Sequence, residues 1–284
     1  MKRGLGGVCL ALALGGLGGC VIVADVSSDL SWGSWTERER EINEAIDRID
    51  FSSRGTLYVV QSEETSLRIE GNENAISRVS ITEGGDTLTI TDRAAAGPWW
   101  QESNKATSEV VFYLEIPVIE EIRHRGHGEM KVGPLTLDRL NIETSGHADT
   151  QLASVNARAV DLEVREHGNV TMETLDSDRV RVRASTHADV FAHDVNALDV
   201  EVEIADHGEV WLAGRADMTK AEIRDHGDLD AARLQCEVVD VRAVDHGSAR
   251  LWVEDTLGLR KNDHAHVEWK GAPEVSEKVS ISSK

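Results

Sequence analysis

Aromatic side chains are scarce in this sequence, 4% of 284 residues, a thin supply for stacking platforms or a deep cofactor cleft. Three cysteines cannot build a disulfide scaffold. Positive charge is also short: 30 Lys and Arg stand against 51 Asp and Glu, a formal net charge of −21. A chain this acidic repels a phosphate backbone, so nucleic acid is excluded as a partner. Wholesale disorder is excluded as well, because 40% hydrophobic and 29% charged residues lie in the globular range.

A long apolar run occurs only at the start. Lys2 and Arg3 form a basic n-region, and an apolar, Gly-rich stretch runs from Leu5 to Leu17, the pattern of a secretory signal. It ends in Leu17-Gly18-Gly19-Cys20, which resembles a bacterial lipobox, whose small residues let a peptidase close on extended backbone. Residues 1–19 are read as a lipoprotein signal peptide and Cys20 as the lipidated residue. The competing reading is an uncleaved anchor, since Gly4 to Ala24 is just long enough to span, although Gly-rich helices span poorly. Cleavage removes Cys9 with the signal and acylation consumes Cys20, leaving Cys236 without a disulfide partner. By resemblance to Gram-negative lipoproteins, Val21 after the cysteine points to the outer membrane, facing the periplasm or the cell surface. The membrane is then a partner only through the lipid, because an acidic domain docks poorly on anionic lipid.

Residues 20–46 read as lipidated cysteine and tether, Ser-rich near Trp32 and Trp35. Within them Ile42 and Ile46 stand at i, i+4, the spacing of a short helix or of a capping run. Beyond residue 47 the period becomes strand-like: Thr56 to Val60, Ser66 to Ile69, Thr87 to Ile90 and Val110 to Ile116, between Gly, Asn and Asp turn signals. Arg93 to Ser108 interrupts the pattern and carries Trp99 and Trp100. Such a pair covers a core edge or offers a contact for an envelope protein or glycan.

Eight histidines then recur: His127, His147, His167, His187, His207, His226, His246 and His264. A period near 20 residues marks a solenoid. Positions seven and five residues before most of these His and three after them are apolar, such as Leu140, Val160, Val180 and Val200, Ile142, Leu162, Val182 and Val202, and Met130, Val170, Val190 and Val210, while the positions between are mostly polar. That is strict period-two alternation, hence strands with one buried face. The prediction is an all-β, right-handed parallel β-helix of about 20 residues per coil, with its repeat core over 118–270. The residue after each His is always Gly or Ala, which points to a volume limit at a corner rather than an obligatory positive φ. The acidic residue before the His would point inward by parity, so the chain is expected to bend there.

The coil motifs Gly126-His127-Gly128-Glu129, Gly146-His147-Ala148-Asp149 and Asp206-His207-Gly208-Glu209 resemble the Gly-Ser-Gly-Asp motif of the auto-transporter adhesin head GIN domain family. The lead-in Gly55 to Val60 and the closing Trp269-Lys270-Gly271-Ala272-Pro273 are similar too. The resemblance covers residues 47–284 and implies a β-helical domain of bacterial secreted proteins and lipoproteins, with no established biochemical role. This sequence departs from the family by placing His where Ser is usual.

Three readings of the ladder follow. It is structure, copied by duplication and stacked like other ladders. It is a ligand strip for Zn²⁺, Cu²⁺ or Ni²⁺, with Asp149, Asp189, Glu209 and Asp228 as accompanying carboxylates. Or it senses protons, in a pH-responsive, adhesin-like surface protein, because neighbouring imidazolium charges repel. His124, His193 and His266 break the period and are expected at the surface, His266 as an extra ligand. No cofactor is required, zinc or copper being the only candidates. An enzyme is not expected, because short uniform coils leave no room for loops over a cleft. Trp211, Trp252 and Trp269 sit at different offsets and form no aligned platform.

Overall fold

Strands begin where the alternation begins. The computed structural model describes residues 34–92, 106–262 and 264–277, all within the unit 32–284. The signal segment, Cys20, Trp99 and Trp100 lie outside the described residues.

The first strand, β1 (Trp35–Arg40), runs antiparallel to β4 (Ser66–Asn72). Both of its faces are largely exposed, so no amphipathic pattern announced it. Charge supports it instead: Glu37 meets Arg68 of β4 at 3.8 Å, and Arg38 meets Glu73, just past the end of β4, at 3.6 Å. Of the two readings of Ile42 and Ile46, the capping run is the one observed. Both are buried, in a turn rather than a helix.

Next come β2 (Arg48–Ser52) and β3 (Thr56–Gln61), then the short helix α1 (Glu73–Ile76), β5 (Val79–Gly84), β6 (Thr87–Asp92) and β7 (Val111–Ile116). Among the described residues antiparallel pairing occurs only here, in β1–β4, β4–β7 and β5–β6. Phe51 and Phe112 meet edge-to-face in this end of the core, centroids 5.8 Å apart.

From β8 (Glu121–Gly126) and β9 (Glu129–Val132) onward all pairing is parallel. The coils follow as β10 (Leu135–Gly146), β11 (Asp149–Glu166), β12 (Asn169–Thr186), β13 (Asp189–Asp206), β14 (Glu209–Ile223), β15 (Asp228–Ala243), β16 (Ser248–Lys261), β17 (His266–Lys270) and β18 (Glu274–Glu277). The result is a β-solenoid of about eight turns. Val160, Val180, Val200, Thr219 and Val239 stack in one core column by direct register. All are buried, and each such Val contributes roughly 1.5–3 kcal/mol relative to exposure. Thr219 keeps its hydroxyl satisfied against the Cys236 thiol at 3.2 Å. Burial pushes that thiol up to about 11, which makes it a core group rather than a reactive one.

Shortened intervals between histidines are absorbed at bulges. Where His207 and His226 are 19 residues apart, the β13–β14 register slips between Ala192 and Val195. Where His246 and His264 are 18 apart, β15–β16 slips between Ala231 and Gln235 and again between Cys236 and Val238. The corner itself stays in phase.

Candidate binding faces around the histidine corner

The bend falls on the residue before each histidine from His127 to His246. Gly126 and Gly146 have φ of 99° and 79°; Glu166, Thr186, Asp206, Asp225 and Asp245 have φ of 59–70°. This left-handed turn sends the acidic side chain into solvent, against simple parity. Such a conformation costs a non-glycine residue about 1–2 kcal/mol, least for Asp. The gain is a ladder of hydrogen bonds: the N–H of His187 donates to the Glu166 carbonyl at 2.7 Å, that of His207 to Thr186 at 2.7 Å, and that of His226 to Asp206 at 2.8 Å. The small residue after each His is buried with ordinary φ. A Cβ on Gly227 would meet Ile204 at 2.7 Å and one on Gly128 the Ser53 carbonyl at 2.3 Å. The volume limit is therefore real.

All eight histidines are exposed. Neighbouring rings from His127 to His246 stack with centroids 4.8–5.0 Å apart, and His264 tilts by 38° against His246 at 5.4 Å. From His147 to His246 the planes agree within 4°. Zinc–imidazole bonds of about 2.0–2.1 Å bring two nitrogens within about 4 Å of each other, so parallel rings at this spacing cannot share an ion without rotating. Among the described residues no three His, Cys, Asp or Glu side chains converge as a metal site. At the first rung, burial, then Arg54, then His147 lower the His127 pKa.

Of the three histidines outside the period, His193 and His266 are at the surface, and His266 Nε2 lies 2.9 Å from Glu268. His124 corrects the expectation: it is fully buried. Its column continues as Thr144, Val164, Ala184 and Ile204, so it stands where alternation demands a core residue. Nδ1 meets the Thr150 hydroxyl at 2.8 Å, which meets Thr144 at 3.2 Å. Nε2 has no partner, and burial lowers the pKa to about 4.

The histidine corner joins two flanks. On the strand segment before it, charges alternate in sign and are paired: Arg183 with Asp161 at 3.6 Å and Glu163 at 3.5 Å, Arg181 with Glu203 at 2.8 Å, Lys220 with Glu201 at 3.1 Å, Arg242 with Glu222 at 2.8 Å. The hydrogen bond from Lys220 holds the Glu201 carboxyl below its usual range.

On the segment after the corner, the column two residues beyond the His holds Asp149, Asp189, Glu209 and Asp228, in register with one another's strands. Glu129 heads this column and pairs with Lys131 at 3.0 Å, Asn169 interrupts it between Asp149 and Asp189, and no Lys or Arg among the described residues forms an ion pair with Asp149, Asp189, Glu209 or Asp228. Burial, then Asp189 and Asp228, raise the Glu209 pKa. Burial also raises Asp189, against the pull of His187 and His167. One more step along the strand lies a row that offset counting of tryptophans missed. Strand pairing aligns Arg68, Tyr113, Tyr58, Lys131, Gln151, Thr171, Phe191 and Trp211 in sequence. Trp252 and Trp269 stay out of this row. Tyr58 and Tyr113 stack at 5.3 Å, the Arg68 guanidinium lies 4.0 Å over Tyr113, and His193 tilts against Trp211 at 5.2 Å. A cleft of about 470 Å³ opens beside the tyrosines, lined also by Arg68 and Glu115.

Stacked parallel coils with in-register surface ladders define a β-solenoid. The chain belongs to the family described as "Putative auto-transporter adhesin, head GIN domain", whose profile matches residues 45–174 and again 160–273. Similar solved structures include putative adhesins from Parabacteroides distasonis and Parabacteroides merdae. Each is 18% identical with a TM-score of 0.58, covering 88% of this chain and 95% and 97% of the other. A putative lipid binding protein from Parabacteroides distasonis is 16% identical, TM-score 0.56, covering 88% and 98%. At these identities the likeness shows the fold. No curated protein matches the sequence. The family and these neighbours are described as adhesins or a lipid-binding protein, not as enzymes, and an adhesin-like family belongs to the cell surface or envelope. No helix among the described residues is long and apolar enough to cross a membrane.

Proposed function

We propose that this chain is a lipid-anchored, adhesin-like envelope module that binds through the long faces of its solenoid and carries out no catalysis. The observation behind this reading is the continuous parallel pairing from β10 to β16, which keeps the columns beside the histidine corner in phase rung after rung while bulges elsewhere absorb the register slips. Repetition of one small chemical pattern suits an extended partner, whereas a catalytic site needs unlike groups converging on one point. Cys20 supplies the anchor and the outer membrane its destination, with an envelope protein or glycan as partner. The test is a cell fractionation with Cys20→Ser as comparison. Wild type is expected in the outer-membrane fraction with acyl label incorporated, and Cys20→Ser without label and in the inner membrane or supernatant. Unlabelled wild type contradicts the anchor.

The exposed histidine column supports a second reading, binding of Zn²⁺ or Cu²⁺ after the rings rotate from their stacked positions. His127, His147, His167, His187, His207, His226, His246 and His264 are the nitrogen donors, with Asp149, Asp189, Glu209 and Asp228 nearby. Calorimetric titration at pH 7.5, with His167, His187 and His207 changed to Ala as control, decides it. Several micromolar sites lost in the control support the reading; no heat, or heat unchanged in the control, removes it.

A further inference from the structure

The flank after the corner combines three features that the other flank lacks. Asp189, Glu209 and Asp228 stack on consecutive rungs without an ion-paired Lys or Arg, whereas Glu129 at the head of the column pairs with Lys131 and Asp230 beside it with Arg250. Its aromatic residues are few but aligned: of the chain's two tyrosines and three phenylalanines, both tyrosines and Phe191 fall in one row with Trp211. Between Tyr58 and Phe191 the row holds Lys131, Gln151 and Thr171, each able to hydrogen-bond a hydroxyl. From Tyr58 to Trp211 the row makes five strand steps, roughly 24 Å at the usual strand spacing.

We propose that this flank binds a linear, uncharged glycan laid along the solenoid axis, with Phe191 and Trp211 against the sugar rings and Asp189 and Glu209 accepting hydrogen bonds from their hydroxyls. The inference rests on the binding-module reading above and names its ligand class. Sugars offer C–H faces that pack on aromatic carbon and hydroxyls that donate to carboxylates, and this flank places those two partners side by side on alternate residues. One strand step is close to the advance of one ring in an extended β-linked chain, so each rung meets an equivalent unit. Charge selects within the class, because the consecutive carboxylates of Asp189, Glu209 and Asp228 repel uronates and phosphorylated sugars. A protein partner fits less well. The aromatic row is one side chain wide and interrupted by polar residues, without the dry central patch that anchors protein interfaces.

The test is calorimetry of the full-length protein in detergent micelles with chitohexaose, cellohexaose and, as the anionic comparison, hexagalacturonate. At least one uncharged oligomer is expected to bind and the uronate not to bind. Trp211→Ala weakens the interaction by roughly tenfold or more, and Glu209→Gln, which keeps shape and fold, weakens it less. The triple change of His167, His187 and His207 to Ala leaves affinity intact. Binding lost in the histidine variant but kept in Trp211→Ala overturns the glycan flank while leaving the module reading in place. Absence of binding to both uncharged oligomers, or preference for the uronate, also overturns it. Thermal melting of each variant separates loss of contact from loss of fold.

Discussion

The two flanks of the histidine corner are built from the same backbone pattern, yet their charges are handled in opposite ways. Before the corner, Arg181, Arg183, Lys220 and Arg242 alternate with carboxylates across strands, so each charge meets its opposite one rung away. After it, Asp189, Glu209 and Asp228 repeat the same sign with burial added, and the Glu209 pKa is raised where that of Glu201 is lowered. A flank that serves only to hold coils together has every reason to neutralise itself, because like charges directly opposite are destabilising. A flank that tolerates repulsion is held in readiness for something else. Function is therefore sought where the solenoid leaves its charges unpaired.

Beneath the corner, where both flanks meet from inside, lies the largest expected effect. His124 is neutral in the folded chain with a pKa near 4, against about 6.5 when unfolded. Its stabilising contribution is thus fully present above pH 6.5 and is lost as pH falls from 6.5 to 4. The loss amounts to about 3 kcal/mol. Chemical denaturation across that window should show the decline, and His124→Val, matching the apolar side of its column, should flatten it. A decline unchanged by His124→Val would move the acid response to the exposed rungs and hence to the flanks.

Crowding of the corner comes next. Gly128→Ala forces a Cβ into the Ser53 carbonyl and is expected to cost about 2 kcal/mol. Gly168→Ala, at a site whose equivalents are Ala148 and Ala188, should cost distinctly less by the same melting assay. Relief of backbone strain works in the other direction: Thr186→Asn, at φ 70°, is expected to stabilise by up to about 1 kcal/mol. The smallest effect belongs to the neutralised flank. Arg183→Met breaks two partly exposed ion pairs and should cost about 0.2–1 kcal/mol, shrinking as salt is added. A larger, salt-insensitive loss would mean that this flank does more than balance charge.

Much of the fold was legible because a repeat states its geometry many times over. Eight histidines mark the coil length, and apolar residues at odd offsets from them mark the core. The bend before each His was legible as well, since an inward Asp at that parity was untenable. Its left-handed φ was concealed, because Glu166 and Thr186 are poor markers of that conformation. β1 could not be read from alternation, for its faces are both exposed and its partner β4 is remote. His124 was misplaced by its chemical type, although its offset of three before His127 is a core offset. The aromatic row was half visible: Lys131, Gln151, Thr171, Phe191 and Trp211 share the offset of four after the His. Tyr58 and Tyr113 join them only through the pairing of β3 with β7 and β9, which no periodicity announces.

The contrast between flanks is tested most directly by hydrogen–deuterium exchange of the full-length protein with and without chitohexaose. Slower exchange confined to residues 189–193 and 209–213, with 179–183 and 199–203 unchanged, is the predicted result. Protection on 179–183 and 199–203, or no change on either flank at saturating oligosaccharide, would contradict the assignment of binding to the unneutralised face.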